Sequence, residues 1–146
     1  MVDRVRAASS VNESFGGCVR DSLAAVLGFV VEEPRYADVL IVEVLVAGPV
    51  AIQRRNELMG EFAEMVQAGA ETLPDGRRPP ALTAETIIGG IYEIVYARVL
   101  QGQVGELPAL LPDLVYWVLQ PYVGHEAAKR EAARAPGRAV SASAVE

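Results

Sequence analysis

The stretch Ile87-Ile88-Gly89-Gly90-Ile91-Tyr92-Glu93-Ile94-Val95-Tyr96-Ala97-Arg98-Val99-Leu100 decides how this chain is read. Its apolar residues recur at three- and four-residue intervals, the spacing of a helix. Only Glu93 and Arg98 are charged, so the helix is apolar well beyond the single stripe of a helix half in water. Such a helix is central in a large core or covered on a second face by a partner. Gly89-Gly90 stands mid-helix, where each glycine costs about 1 kcal/mol against alanine. Close approach of another backbone is the usual compensation.

The following run, Leu107 to Tyr122, has the same character, with Leu110, Leu111, Leu114, Val115, Val118 and Leu119 and no charge from Leu114 to Val123. Pro108 suits its first turn, and Pro112 is expected to kink it by removing a backbone hydrogen bond. Upstream, Thr83 is the expected cap of the run Ala84 to Gly102. From Glu13 to Val31, one face carries Phe15, Cys18, Val19, Ser22, Leu23, Val26, Leu27 and Val30. Asn12 is its expected N-cap and Pro34 its stop. Arg35 to Ala47 is apolar nearly all round. Its β-branched residues also admit a buried strand, but about thirteen residues is long for one, and its neighbours are helical. Gly48-Pro49 breaks the chain and places proline in the next first turn. Val50 to Leu73 sets Ile52, Leu58, Met59, Phe62, Met65 and Val66 against Arg54, Arg55, Glu57, Glu61 and Glu64. Pro74 to Pro80 has loop chemistry. Gly124 to Arg134 reads as a short polar helix, and Met1 to Ser10 as part of another. Neither a hairpin signal nor an internal repeat occurs. The reading is an all-α, multi-helix domain over residues 1–134, with a flexible tail over 135–146.

Composition narrows the function classes. The chain has 146 residues and one cysteine, Cys18, so it can hold no disulfide framework. A chain of this length can bury roughly 68–70% of its unfolded surface without staples. The longest stretch without charge, between Asp113 and Glu126, is twelve residues, against about 20 for a spanning helix. With no secretory signal pattern, a cytoplasmic protein without a membrane role is expected. The net charge of -6 argues against nucleic-acid binding by this chain alone. The 51% hydrophobic content is high for a soluble monomer and fits two helices that meet a partner.

The elements Leu82-Thr83-Ala84-Glu85, Ile88-Gly89-Gly90-Ile91, Leu107-Pro108-Ala109-Leu110-Leu111-Pro112-Asp113-Leu114 and Leu119-Gln120-Pro121-Tyr122-Val123-Gly124 together resemble the C-terminal domain of TetR-type transcriptional regulators. Val30 to Pro34, Ala37, Val42-Glu43, Ala47-Gly48-Pro49 and Arg54-Arg55 are similar to the same family's preceding helices. The resemblance covers about Val2 to Ala128. It implies an all-helical effector domain that dimerises through its last two long helices as a four-helix bundle, with a small-molecule pocket among the earlier ones. It also implies an N-terminal helix-turn-helix domain ahead of Met1, whose pattern this sequence does not contain. The chain is therefore expected to be a fragment or a family member without its DNA reader. The other reading is a stand-alone interaction protein that binds no ligand and heterodimerises with a full-length regulator.

For the dimer interface, the expected residues are Ile87, Gly90, Ile91, Ile94, Leu111, Leu114, Val115, Val118 and Tyr122. For a small hydrophobic or aromatic effector, they are Phe15, Cys18, Ser22, Leu40, Glu43, Leu58, Phe62, Met65, Tyr92 and Tyr96. Helical spacing alone does not tell a cavity wall from a filled core. Glu43, standing in an apolar run, is expected to be buried and to bind a ligand donor or pair with Arg20, Arg54 or Arg55. Cys18 reads as an inert small hydrophobe. One histidine, His125, and one cysteine 107 positions away make no metal site. No nucleophile–base pattern accompanies them, so neither a cofactor nor an enzyme activity is expected.

Overall fold

The structure, a computed structural model, describes residues 1–10, 14–74 and 77–136, and these are helical with no strand among them. The helices are α1 (Val2–Ser10), α2 (Phe15–Glu32), α3 (Pro34–Ala37), α4 (Pro49–Glu71), α5 (Leu82–Leu100), α6 (Leu111–Val123) and α7 (His125–Ala132). No single helix among the described residues is long and apolar enough to cross a membrane.

Local chemistry explains most boundaries. Ser14 caps α2, its Oγ accepting from the Gly17 amide at 3.1 Å, which satisfies one of the free N–H groups of a helix start. Asn12, the cap expected from sequence, lies outside the described residues, as do Asp75-Gly76 of the expected loop and most of the expected tail. Gly48 at φ 102 and Gly124 at φ 82 make the sharp turns into α4 and α7, a backbone region that favours glycine. Thr83 does not cap α5: the helix starts two residues earlier than expected, at Leu82, with Ala81 as cap and no side-chain bond. The 107–122 run is not one kinked helix either. A 3-10 segment, Val104–Leu110, precedes α6, and Pro112 falls in the first turn of α6, where its missing N–H costs nothing.

The Arg35–Ala47 run is helical but not a regular buried helix. After α3 it widens to a π turn, Asp38–Val42, and tightens to a 3-10 turn, Glu43–Leu45. Its valines crowd a regular α-helix, and only Ala37 and Ile41 of the run are buried. The Ile41 carbonyl accepts the Tyr92 hydroxyl at 2.6 Å, tying this irregular stretch to α5.

The core forms where α2 meets α6. α2 contributes Phe15, Val19, Leu23, Leu27 and Val30, four or three residues apart. α6 contributes Leu114, Val115, Val118, Leu119 and Tyr122. Burying a Val or Leu side chain fully is worth about 1.5–3 kcal/mol. α7 closes over this pair through Ala128 and a buried ion cluster. Arg20 on α2 pairs with its neighbour Asp21 at 3.1 Å and with Glu131 on α7, and Arg134 reaches the other Glu131 oxygen at 2.9 Å. Arg20, Asp21 and Glu131 are each less than a tenth exposed.

Two expectations follow. Arg20→Met leaves the Glu131 and Asp21 carboxylates buried without their shared cation; a loss of about 3 kcal/mol is expected, read as a lower urea midpoint at unchanged slope. Two α4 glycines should respond oppositely to alanine. A Cβ at Gly69 would sit 2.7 Å from the buried Phe15 ring, whereas one at Gly60 meets nothing within 4 Å. Gly69→Ala should therefore destabilise by about 1–2 kcal/mol, and Gly60→Ala stabilise by up to about 1 kcal/mol, both measured by urea unfolding.

Candidate functional site

The ten residues expected to line a pocket are spread over α2, the 38–45 stretch, α4 and α5. Phe15 packs its ring edge-on against Tyr122 at 5.8 Å and lies over Gly69, so it is core. The Cys18 thiol donates to the Ser9 carbonyl at 3.2 Å. Burial, then the Asp21 charge, pushes its pKa up, the opposite of what a redox-sensing thiolate requires. Ser22 is half-buried on α2, as are Leu58, Phe62 and Met65 on α4. Tyr92 and Tyr96 stack at 6.4 Å with near-parallel rings and pack against the core.

Glu43 and Leu40 are corrections. Both are exposed: Leu40 lies in the widened π turn and Glu43 in the tightened 3-10 turn, and each changes the angular step that a regular helical face requires. Glu43 therefore has no need of a buried cation. Arg20 pairs instead with Asp21 and Glu131, and Arg54 with Glu57. Arg55 donates to Asn56 and lays its guanidinium 3.9 Å from the Tyr92 ring centre.

None of the ten lines either of two open grooves on the described residues. The larger, about 620 Å³, lies between α2, the start of α6 and the end of α7; Leu27, Leu111 and Val115 wall it and Arg20 stands at its edge. The other, about 440 Å³, runs between α4 and α5. Met59 and Ala63 on α4 and Ala84 and Ile88 on α5 give it apolar walls, and Glu64 and Glu85 stand on opposite sides. Gly60 and Gly89 hold it open, since a Cβ at either would touch nothing within 4 Å. Sequence reading missed this groove because Met59 and Ala63 sit beside Leu58 and Phe62 in the same amphipathic pattern. The unpaired signal was the glycine at each of positions 60 and 89.

The dimer-interface residues also divide. Leu114, Val115, Val118 and Tyr122 are buried inside the chain, because α6 turns this stripe toward α2. Ile87, Ile91 and Leu111 are half-buried against the same core. Of the nine, only Gly90 and Ile94 are exposed. The large apolar residue that α6 does present outward is Trp117, 64% exposed. It falls off the 114–115–118–119–122 stripe, and that displacement was its sequence signal. Among the described residues, no group of three or more His, Cys, Asp or Glu could hold a metal ion. No family model, curated protein or solved structure matches this chain.

Tyr122 offers a direct test of this core. Its hydroxyl is buried without a hydrogen-bond partner among the described residues, and burial pushes its pKa above the ordinary 10.0. The unfolded chain thus ionises first, so stability present below about pH 10 is lost as pH rises beyond it. Tyr122→Phe should stabilise by about 1 kcal/mol at neutral pH and reduce the alkaline loss. Urea midpoints at neutral pH and above the ordinary tyrosine pKa check both.

Proposed function

We propose that the chain is the effector-sensing and dimerising domain of a TetR-like transcriptional regulator, acting in the cytoplasm as a homodimer. The observation that carries this reading is the apolar surface left uncovered by the last two long helices. α5 exposes Gly89, Gly90 and Ile94, and α6 exposes Trp117. Large exposed aromatic and aliphatic groups concentrate at interfaces. Two helices meeting their two-fold mates form a four-helix contact, and paired glycines let backbones approach closely. The interface in this reading is built on Gly90, Ile94 and Trp117, with Ile87, Ile91 and Leu111 beneath them rather than in it.

For sensing, α4 is the element suited to move. It spans 23 residues, of which only Ala63 and Ala70 are fully buried. A ligand that prefers one seating of α4 against α5 shifts the population between two packings.

The absence of the ten expected pocket residues from both grooves favours, as a second reading, an interaction protein that pairs without a ligand. Thermal-shift titration with apolar ligands separates the two: stabilisation supports sensing, and none leaves pairing alone.

The dimer is tested by sedimentation velocity. The unaltered chain should sediment as a dimer at micromolar concentration, and the Ile94→Glu, Trp117→Glu double variant as a folded monomer, since it places a charge in each half of the contact. An unaltered chain that stays monomeric at tens of micromolar sinks the dimer.

A further inference from the structure

The α4–α5 groove has a charge pattern that selects a class of ligand. Its walls are Met59, Ala63, Ala84 and Ile88, so a bound molecule must offer an apolar body. Glu64 on α4 and Glu85 on α5 both line it. Neither has an ion-pair partner among the described residues, whereas two other α4 acids do: Glu57 pairs with Arg54 and Glu61 with Arg6. Gln67, on the same side as Glu64 and one turn further along α4, has its side-chain oxygen buried without a hydrogen-bond partner. Its terminal amide turns in a broad torsional minimum, so that oxygen is a third acceptor within reach of the groove.

The only cation on the walls is Arg55. It is nine residues from Glu64, about 13 Å of helix axis, and its charge is already held against the face of Tyr92 and by Asn56. Arg55 therefore does not neutralise the carboxylates. It marks the opposite end of the groove and repels a cation there. Between the two ends, Gly60 and Gly89 leave open space where any side chain would intrude. The chain's net charge of -6 adds long-range attraction for a cation.

We infer that this groove binds an amphipathic organic cation, its ammonium head between Glu64 and Glu85 and its apolar body running past Gly60 and Gly89 toward Arg55. This names the ligand class for the sensing role proposed above, and its biological meaning rests on that role. The binding itself does not depend on it.

The test uses n-octylammonium as probe, with n-octanoate as the charge-reversed control, titrated calorimetrically into the full chain. Saturable one-to-one binding of octylammonium is expected, at least ten-fold tighter than octanoate. Glu64→Gln with Glu85→Gln should weaken it at least ten-fold. Both carboxylates are exposed, so this variant keeps the fold. Gly60→Leu should abolish binding by filling the groove; its helix content is checked by circular dichroism, and a Cβ at this position meets nothing within 4 Å. Octanoate binding as tightly as octylammonium overturns the inference. So does unchanged affinity in the double Gln variant, or no saturable binding. Sedimentation of the same samples keeps the two readings apart. A monomer that binds octylammonium as expected supports the groove and counts against the regulator, whereas a dimer that binds none overturns the groove alone.

Discussion

Arg20 holds Asp21 beside it on α2 and Glu131 across on α7, all three nearly out of water. A charge so placed is costly unless paired, and its partners cannot be exchanged for water without opening the core. This constraint reaches well beyond the cluster. It seats α7 on α2, and α7 in turn covers the stripe that α6 turns inward. It also restricts the backbone beneath it: a Cβ at Gly16 would lie 2.9 Å from the Glu131 Cγ, so the first turn of α2 stays bare to let the carboxylate in. Arg134 adds a second cation to Glu131, which leaves the cluster with balanced formal charge.

Because α7 is held there, α6 can face only one way. Its stripe of Leu114, Val115, Val118, Leu119 and Tyr122 belongs to the chain's own core, and Trp117 is left on the outside. The division between buried and exposed apolar residues thus runs along the length of this helix rather than between helices. α5 divides less cleanly. Val95 is buried, Ile87 and Ile91 rest on the core, and Ile94 projects. A helix apolar on nearly every side does not declare an inner face in its sequence.

Periodicity made the helices legible, since Phe15, Val19, Leu23, Leu27 and Val30 read as one face before any coordinates are considered. The turns at Gly48 and Gly124 were legible for a similar reason: glycine before a helix start marks backbone that other residues avoid. What stayed hidden depended on contacts between distant positions. Arg20 and Glu131 are 111 residues apart, and nothing local to either announces the other. Glu43 looked buried because the 39–46 run was assumed to be one regular helix. The π and 3-10 turns there change the angular step per residue, and a helical-wheel argument fails wherever that step changes. The expected pocket residues raise a different point. Phe15, Tyr92 and Tyr96 are aromatic and inward, but they pack on core or on each other, and pattern does not distinguish filled from empty.

The open space lies instead where side chains are missing. Gly60 and Gly89 are each a mid-helix glycine, unfavourable by about 1 kcal/mol against alanine, and neither is needed for a turn or for close packing within the chain. Gly69 supplies the contrast on the same helix, since Phe15 occupies the place of its Cβ. A helix that keeps one glycine for packing and another facing a groove has two faces under different demands. The inner face of α4, through Val66 and Ala70, rests on the core. The other face, through Met59 and Ala63, looks onto α5 across the groove. Arg55 connects the groove to Tyr92, and Tyr92 is bonded to the irregular stretch at Ile41. A molecule seated in the groove would therefore press on two long helices that each bury only two residues, and on the side chain that ties α4 to the rest. That is the physical requirement for a ligand to favour one packing over another, and it is met between α4 and α5 without any opening of the filled interior.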